Sequence, residues 1–139
     1  MDATAFLERV KKIDTIIKNK LIEREQWMSM AMNITANYEG ERVQSSGNLQ
    51  KMSDAIARCV DMQKEIDILI EQLVQAKKDV LSVIEQLDPD EYDVLHMRYI
   101  QHMTNNEVAE TKGHGAPWAS TMHTNGIKNV QRILAGGRQ

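Results

Sequence analysis

The longest regular pattern in the sequence is a heptad repeat over residues 49–87. In alternating steps of three and four from Leu49, ten of twelve positions are apolar: Leu49, Met52, Ile56, Cys59, Ile66, Ile70, Leu73, Val80, Ile84 and Leu87. This spacing places the side chains along one side of an α-helix roughly 58 Å long. Because one helix cannot cover its own apolar side, we expect a partner helix in an antiparallel hairpin, a second subunit, or both.

Two polar residues interrupt this heptad, Gln63 and Lys77. Polar side chains in a helical seam can fix the register or the number of partners. The alternative is that the seam rotates locally onto Met62 or Val74. The sequence alone leaves both interpretations open.

Residues 4–37 predict the partner helix. Their apolar residues recur at helical spacing: Phe6, Val10, Ile13, Ile17, Leu21, Met28 and Met32. The segment NYEGERVQSSGN at 37–48 then predicts a loop, since it holds two glycines and two serines without periodicity. Arg42 and Gln44 in this loop are candidate contacts to nucleic acid or a protein partner. The alternative is a shaped connection that ends in a helix N-cap.

Three shorter helices are predicted after residue 88. Pro89 suits a first helical turn, and Thr104 with Glu107 forms a capping-box pattern. KGHG at 112–115 predicts a turn, and a last helix runs from Ala116 to Leu134. The sequence therefore predicts an all-α protein. Residues 1–87 are predicted to form a long antiparallel, coiled-coil-like hairpin for oligomerisation or partner docking. Residues 88–139 are predicted to form a three-helix, helix-turn-helix domain.

Charge and motif content restrict the function. The net charge of −3 disfavours strong binding to phosphates, although residues 103–139 carry four Lys/Arg against two Asp/Glu. The four histidines lack the spacing of metal ligands on one helix face, and no catalytic motif is present, so we expect no metal, no cofactor and no enzyme activity. Without a leader or a long apolar segment, the sequence predicts a cytoplasmic protein with no membrane association.

The C-terminal part resembles region 4 of sigma-70-type factors. That pattern reads Leu–x–x–x–Glu–x–x–Val–Leu–x–x–Arg–Tyr and then Thr–x–x–Glu–Val–Ala. It is carried here by Leu87, Glu91, Val94, Leu95, Arg98, Tyr99, Thr104, Glu107, Val108 and Ala109, with Ile127, Lys128 and Val130 in the last helix. The whole chain is similar to small phage and prophage proteins, the ArpU-like and RinA-like late transcriptional regulators. The segments RVQSSGN (42–48) and KMSDAIA (51–57) are typical of them.

This resemblance implies a set of DNA contacts. The groove-facing positions of the recognition helix would be Pro117, Ser120, Thr121 and Asn125, and the cations that position the backbone would be Lys112, Lys128 and Arg132. The sequence departs from the pattern at four places, one of which is Gly126, where a helix normally prefers alanine. No groove-facing position carries a cation, Gly115 replaces the usual capping Ser or Thr, and His102 replaces a glycine of left-handed conformation.

The resemblance implies a phage-type, DNA-binding transcriptional regulator in the bacterial host cytoplasm, a homodimer through residues 1–87. Its partners would be promoter DNA, RNA polymerase or another host protein. A protein-interaction module, an adaptor or inhibitor of a host protein with a degenerate helix-turn-helix, is the alternative of a different class. A DNA-recognition protein like a small terminase subunit is a third, and it would assemble as a ring.

Overall fold

The computed structural model describes residues 1–40 and 46–136, without the side chains of residues 34–40, 46 and 48. Five α-helices follow one another: α1 (Ala3–Gly40), α2 (Ser46–Ile84), α3 (Pro89–Leu95), α4 (Asn105–Lys112) and α5 (Ala116–Leu134). Within these ranges there is no β-strand, which confirms the all-α class. Arg42 and Gln44 lie outside the described residues. No described helix combines the length and apolarity that crossing a bilayer requires.

The helix boundaries follow local sequence signals. Pro89 starts α3 after the chain leaves α2, and Asp88 is its N-cap without a side-chain hydrogen bond. The chain then widens to a π-helical turn at His96–Ile100. Thr104 and Glu107 form the predicted capping box at α4, because each side chain accepts from the other residue's backbone N–H. Gly115 is the N-cap of α5, as predicted.

Helices α1 and α2 run antiparallel. In Thr15–Gln72, the Arg24 guanidinium donates to the Gln63 side chain, and Lys20 Nζ lies 3.6 Å from Glu65 Oε1. Within the unit of Met1–Asp14 and Leu73–Gln139, Arg9 lies 3.9 Å from Asp79. Later residues of α1 thus meet earlier residues of α2, as a hairpin requires.

Between residues 55 and 80 the buried stripe of α2 differs from the predicted seam at every second position, whereas Ile84 is buried as predicted. It runs through Ala55, Cys59, Met62, Ile66, Ala76 and Val80, all of them buried. Ile56 and Ile70 were predicted in the seam but are 46% and 45% exposed. The prediction was wrong at these positions because α1 covers the side of α2 that holds Ala55, Met62 and Ala76, each one residue before a predicted seam position. Val74, the other residue considered, is exposed.

The chain divides into two compact units, Met1–Asp14 with Leu73–Gln139, and Thr15–Gln72. This division differs from the predicted boundary after residue 87. Residues 1–14 contact α5 and the turn before α4 directly. The Ala3 N–H donates to Gln131 Oε1 of α5 at 2.8 Å, and His102 Nε2 in the turn lies 3.9 Å from Asp14. The hairpin's base therefore belongs to the same unit as α3, α4 and α5.

Candidate nucleic-acid interface

Helix α5 has one exposed polar face and one buried apolar face. Pro117, Ser120, Thr121 and Lys128 are exposed, and Asn125 is half-buried at the edge of the same face. Their separations of three, four, seven and eight residues place them on one side of a helix. The buried side consists of Ala119, Gly126 and Val130. The predicted groove-facing residues are thus together on the solvent side of α5.

Close packing against α3 holds the back of α5. A Cβ added at Gly126 would lie 3.0 Å from Leu95 Cδ1 and 3.1 Å from Leu95 Cγ. Because Leu95 is fully buried, it has little room to withdraw. The glycine therefore permits a short distance between the two helices, and this packing presents the opposite face of α5 to solvent.

Two buried polar contacts fix the rotation of α5. Asn129 Nδ2 donates to the buried Glu91 Oε1 at 2.6 Å, and Tyr99 Oη lies 2.6 Å from His123 Nε2. Burial, followed by the charge of Arg98, lowers the pKa of His123. Burial also raises the pKa of Tyr99. Because the His123 ring is neutral near neutral pH, its Nε2 can accept a hydrogen bond from the protonated Tyr99 hydroxyl.

A short turn joins α4 to α5. Gly113 has φ +70° and closes α4 in the left-handed conformation that glycine adopts without steric cost. The rings of His114 and Trp118 stack with centroids 4.0 Å apart. Trp118 is half-buried against the core of Val94, Val108, Ala109 and Ala119. The turn therefore carries an aromatic pair between the core and the exposed start of α5.

The cations near this face differ in how they are engaged. Lys112 Nζ donates to Asp93 at 2.7 Å, and this hydrogen bond raises the pKa of Lys112. Arg132 is exposed and donates to Asn129 on its own helix. Lys128 is exposed on the polar face itself. Helix α5, described throughout, contains no Asp or Glu, so its own charge is positive and concentrated in its C-terminal half.

The structure thus collects Pro117, Ser120, Thr121, Asn125 and Lys128 on one face. Arg132 lies one turn further along, whereas Lys112 lies on α4 and is held by Asp93. Thr124 was missed by the sequence reasoning. It is exposed, three residues after Thr121 and four before Lys128, and that spacing alone was enough to indicate it.

Among the described residues, no three His, Cys, Asp or Glu side chains are grouped so that they could hold a metal ion. The fold defines an all-α protein with three helices, α3 to α5, in its C-terminal part. The last of them, α5, has an exposed polar face and contains no Asp or Glu. Comparisons with models of known protein families, with curated proteins and with solved structures found no match.

Proposed function

We propose that this chain is a phage-type, DNA-binding transcriptional regulator that acts in the bacterial cytoplasm. Helices α4 and α5 form a sigma-region-4-like helix-turn-helix, in which α5 is the recognition helix. The carrying observation is the single exposed face with Pro117, Ser120, Thr121, Asn125 and Lys128, fixed from behind by Gly126 and Asn129. The hairpin is proposed to hold two copies together, so that two recognition helices act on one duplex.

The chemistry of the face suits base contacts better than strong phosphate binding. The Asn125 amide can pair with adenine in the major groove, and the Ser120 and Thr121 hydroxyls can contact phosphate or base edges. Lys128 and Arg132 are the cations of α5, and each releases counterions when it neutralises a phosphate. With two such cations per chain, we expect weak affinity and a shallow dependence of affinity on salt.

Selection of duplexes from a randomised pool at low salt tests this function. We expect enrichment of one sequence motif, and an Asn125→Ala variant should lose discrimination at one base pair by about 1–3 kcal/mol. Lys128→Ala should weaken binding to all duplexes alike, because a lysine that contacts phosphate carries no sequence information. Lys78→Ala is its control, because Lys78 is an exposed lysine on α2 rather than on α5. A pool recovered without any sequence preference would remove the direct-binding regulator.

A second function, docking onto a protein, is favoured by the surface at the start of α5. His114 and Pro117 are exposed there, beside the half-buried Trp118, and Lys112 is already held by Asp93. Such an aromatic and proline surface with few cations suits a protein partner, for example RNA polymerase. Titration of purified bacterial polymerase against the chain and against Pro117→Asp would test this. Equal binding of both would exclude this surface.

A further inference from the structure

Helix α2 carries a second heptad stripe beside the one that α1 covers, and Gln63, whose side-chain oxygen accepts from Arg24 of α1, lies where the two stripes adjoin. The central six positions of the second stripe alternate in steps of four and three: Ile56, Val60, Gln63, Asp67, Ile70 and Val74. The four apolar side chains are all exposed, between 45% and 51%. A row of half-exposed Ile and Val at heptad spacing is the kind of surface that another helix covers.

The order of apolar and polar residues in the stripe is the same from either end. From either end it runs apolar, apolar, polar, and the steps of four and three are also symmetric about its centre. The next positions outward, Ser53 and Lys77, are both polar. A two-fold interface requires this property, since residue i of one copy must suit residue j of the other and the reverse.

We propose that this stripe is the interface between two copies of the chain, with their α2 helices antiparallel across a two-fold axis between Gln63 and Asp67. Ile56 then meets Val74 of the other copy, and Val60 meets Ile70. The proposal deepens the homodimer part of the proposed function and does not depend on duplex binding.

The polar centre complements itself in this register. Gln63 donates one amide hydrogen to Asp67 of its own chain at 2.8 Å. An amide has a second N–H, and a carboxylate accepts several bonds, so Gln63 of one copy can donate to Asp67 of the other. The Arg24 guanidinium of α1 donates to the side-chain oxygen of Gln63, so a positive charge lies beside this amide. When Gln63 donates to Asp67 of the other copy, this cation and that carboxylate are brought near each other.

The same pairing also buries part of a groove beside the stripe. Met28 of α1, 43% exposed, lies with Val60 and Gln63 in a shallow groove between the two helices. A second α2 laid along the stripe removes part of this methionine from water as well. Methionine is suited to such a rim because its side chain adapts to the partner's shape.

The first test compares two substitutions two residues apart. Ile70→Glu places a charge in the interface, whereas Ile68→Glu places it about 200° around the helix. Ile68 is 57% exposed and provides a matched control. By sedimentation of the full chain, we expect a dimer for the native chain and for Ile68→Glu. Ile70→Glu should weaken the dimer about 100-fold, because each copy contributes one substitution worth about tenfold.

The second test fixes the orientation. In a Cys59→Ala background, the double variant Val60→Cys/Ile70→Cys should form a disulfide-linked dimer on mild oxidation, and each single cysteine variant should stay unlinked. Helicity by circular dichroism checks that every variant is folded. A native monomer, a ring larger than a dimer, or equal effects of the two glutamates would overturn the proposal, as would cross-linking by single cysteines. A dimer that shows no duplex preference leaves it intact and removes only the regulator function.

Discussion

At the scale of single residues, Gly126 shows how packing reverses a local preference. Glycine inside a helix is about 1 kcal/mol less favourable than alanine. At this position, however, an added methyl group meets the side chain of Leu95 at 3.0 Å. The identity of residue 126 is therefore decided by the distance between α3 and α5.

We expect Gly126→Ala to destabilise the chain by about 1 kcal/mol, because overpacking of 1–3 kcal/mol exceeds the gain in helix propensity. Urea unfolding measures the difference. In a Leu95→Val background the side chain facing residue 126 is shorter, so Gly126→Ala should cost less stability there. A stabilising effect of Gly126→Ala in the native background would contradict this reading of the contact.

His102 adopts the left-handed conformation, with φ +59°. The resemblance to region 4 had suggested this, since a glycine is usual there. We expect His102→Val to destabilise the chain by about 1–2 kcal/mol more than His102→Asn, because a β-branched residue is strained at positive φ whereas asparagine tolerates it. Thermal unfolding measures the difference in stability between the two variants. Equal melting temperatures would show that the backbone at residue 102 is not strained.

His123 links stability to pH. Its pKa is lowered in the folded chain by burial and by Arg98. The unfolded chain therefore binds the proton first as the pH falls through 6.5, the ordinary pKa of histidine, and the free energy of unfolding decreases. Between about pH 7.5 and pH 5.5, His123→Gln should lose less stability than the native chain. An unchanged difference between the two pH values would mean that other groups carry the dependence.

At the scale of elements, the starts of α3, α4 and α5 were predictable because their signals are local, whereas the change to a π-helical turn after Leu95 was not predicted. Pro89, the Thr104 capping box and Gly115 each act within one turn of the chain. The face of α2 was less predictable. A heptad tells which residues share a side, but α2 has two such sides, and the partner helix covers only one.

Removal of the Thr104 N-cap tests whether the capping box stabilises α4. Thr104→Ala removes a hydroxyl that accepts from the Glu107 N–H, and we expect a loss of about 1 kcal/mol. Thr111→Ala is the matched control, because the Thr111 hydroxyl only donates back to the Glu107 carbonyl within α4. Urea unfolding should separate the two variants. Similar losses would mean that the box does not stabilise α4.

At the scale of the whole molecule, the charge decides what kind of DNA binding is expected. The net charge is −3, and the cations of α5 lie in its C-terminal half. Sequence-independent attraction to duplex DNA should therefore be weak.

A cation added to the polar face should change this in a measurable way. Thr121→Arg is expected to raise affinity for duplex DNA and to steepen the salt dependence by about 0.9 in the log–log slope. Ser82→Arg adds the same charge at an exposed position of α2 and should change the slope much less. Fluorescence anisotropy over a salt series measures both. Equal slopes for the two variants would argue against α5 as the DNA-contacting helix.

The sequence by itself determined what depends on neighbours along the chain: the helices, their caps, the break at Pro89, and the spacing that puts Ser120, Thr121 and Lys128 on one side of α5. Only the tertiary structure decided what depends on distant residues. Met62 is buried instead of Gln63 because α1 lies against that side of α2, and the hairpin's base joins the C-terminal helices because Ala3 and Asp14 reach Gln131 and His102. Periodicity names the faces of a helix, whereas contacts between helices decide which face is covered.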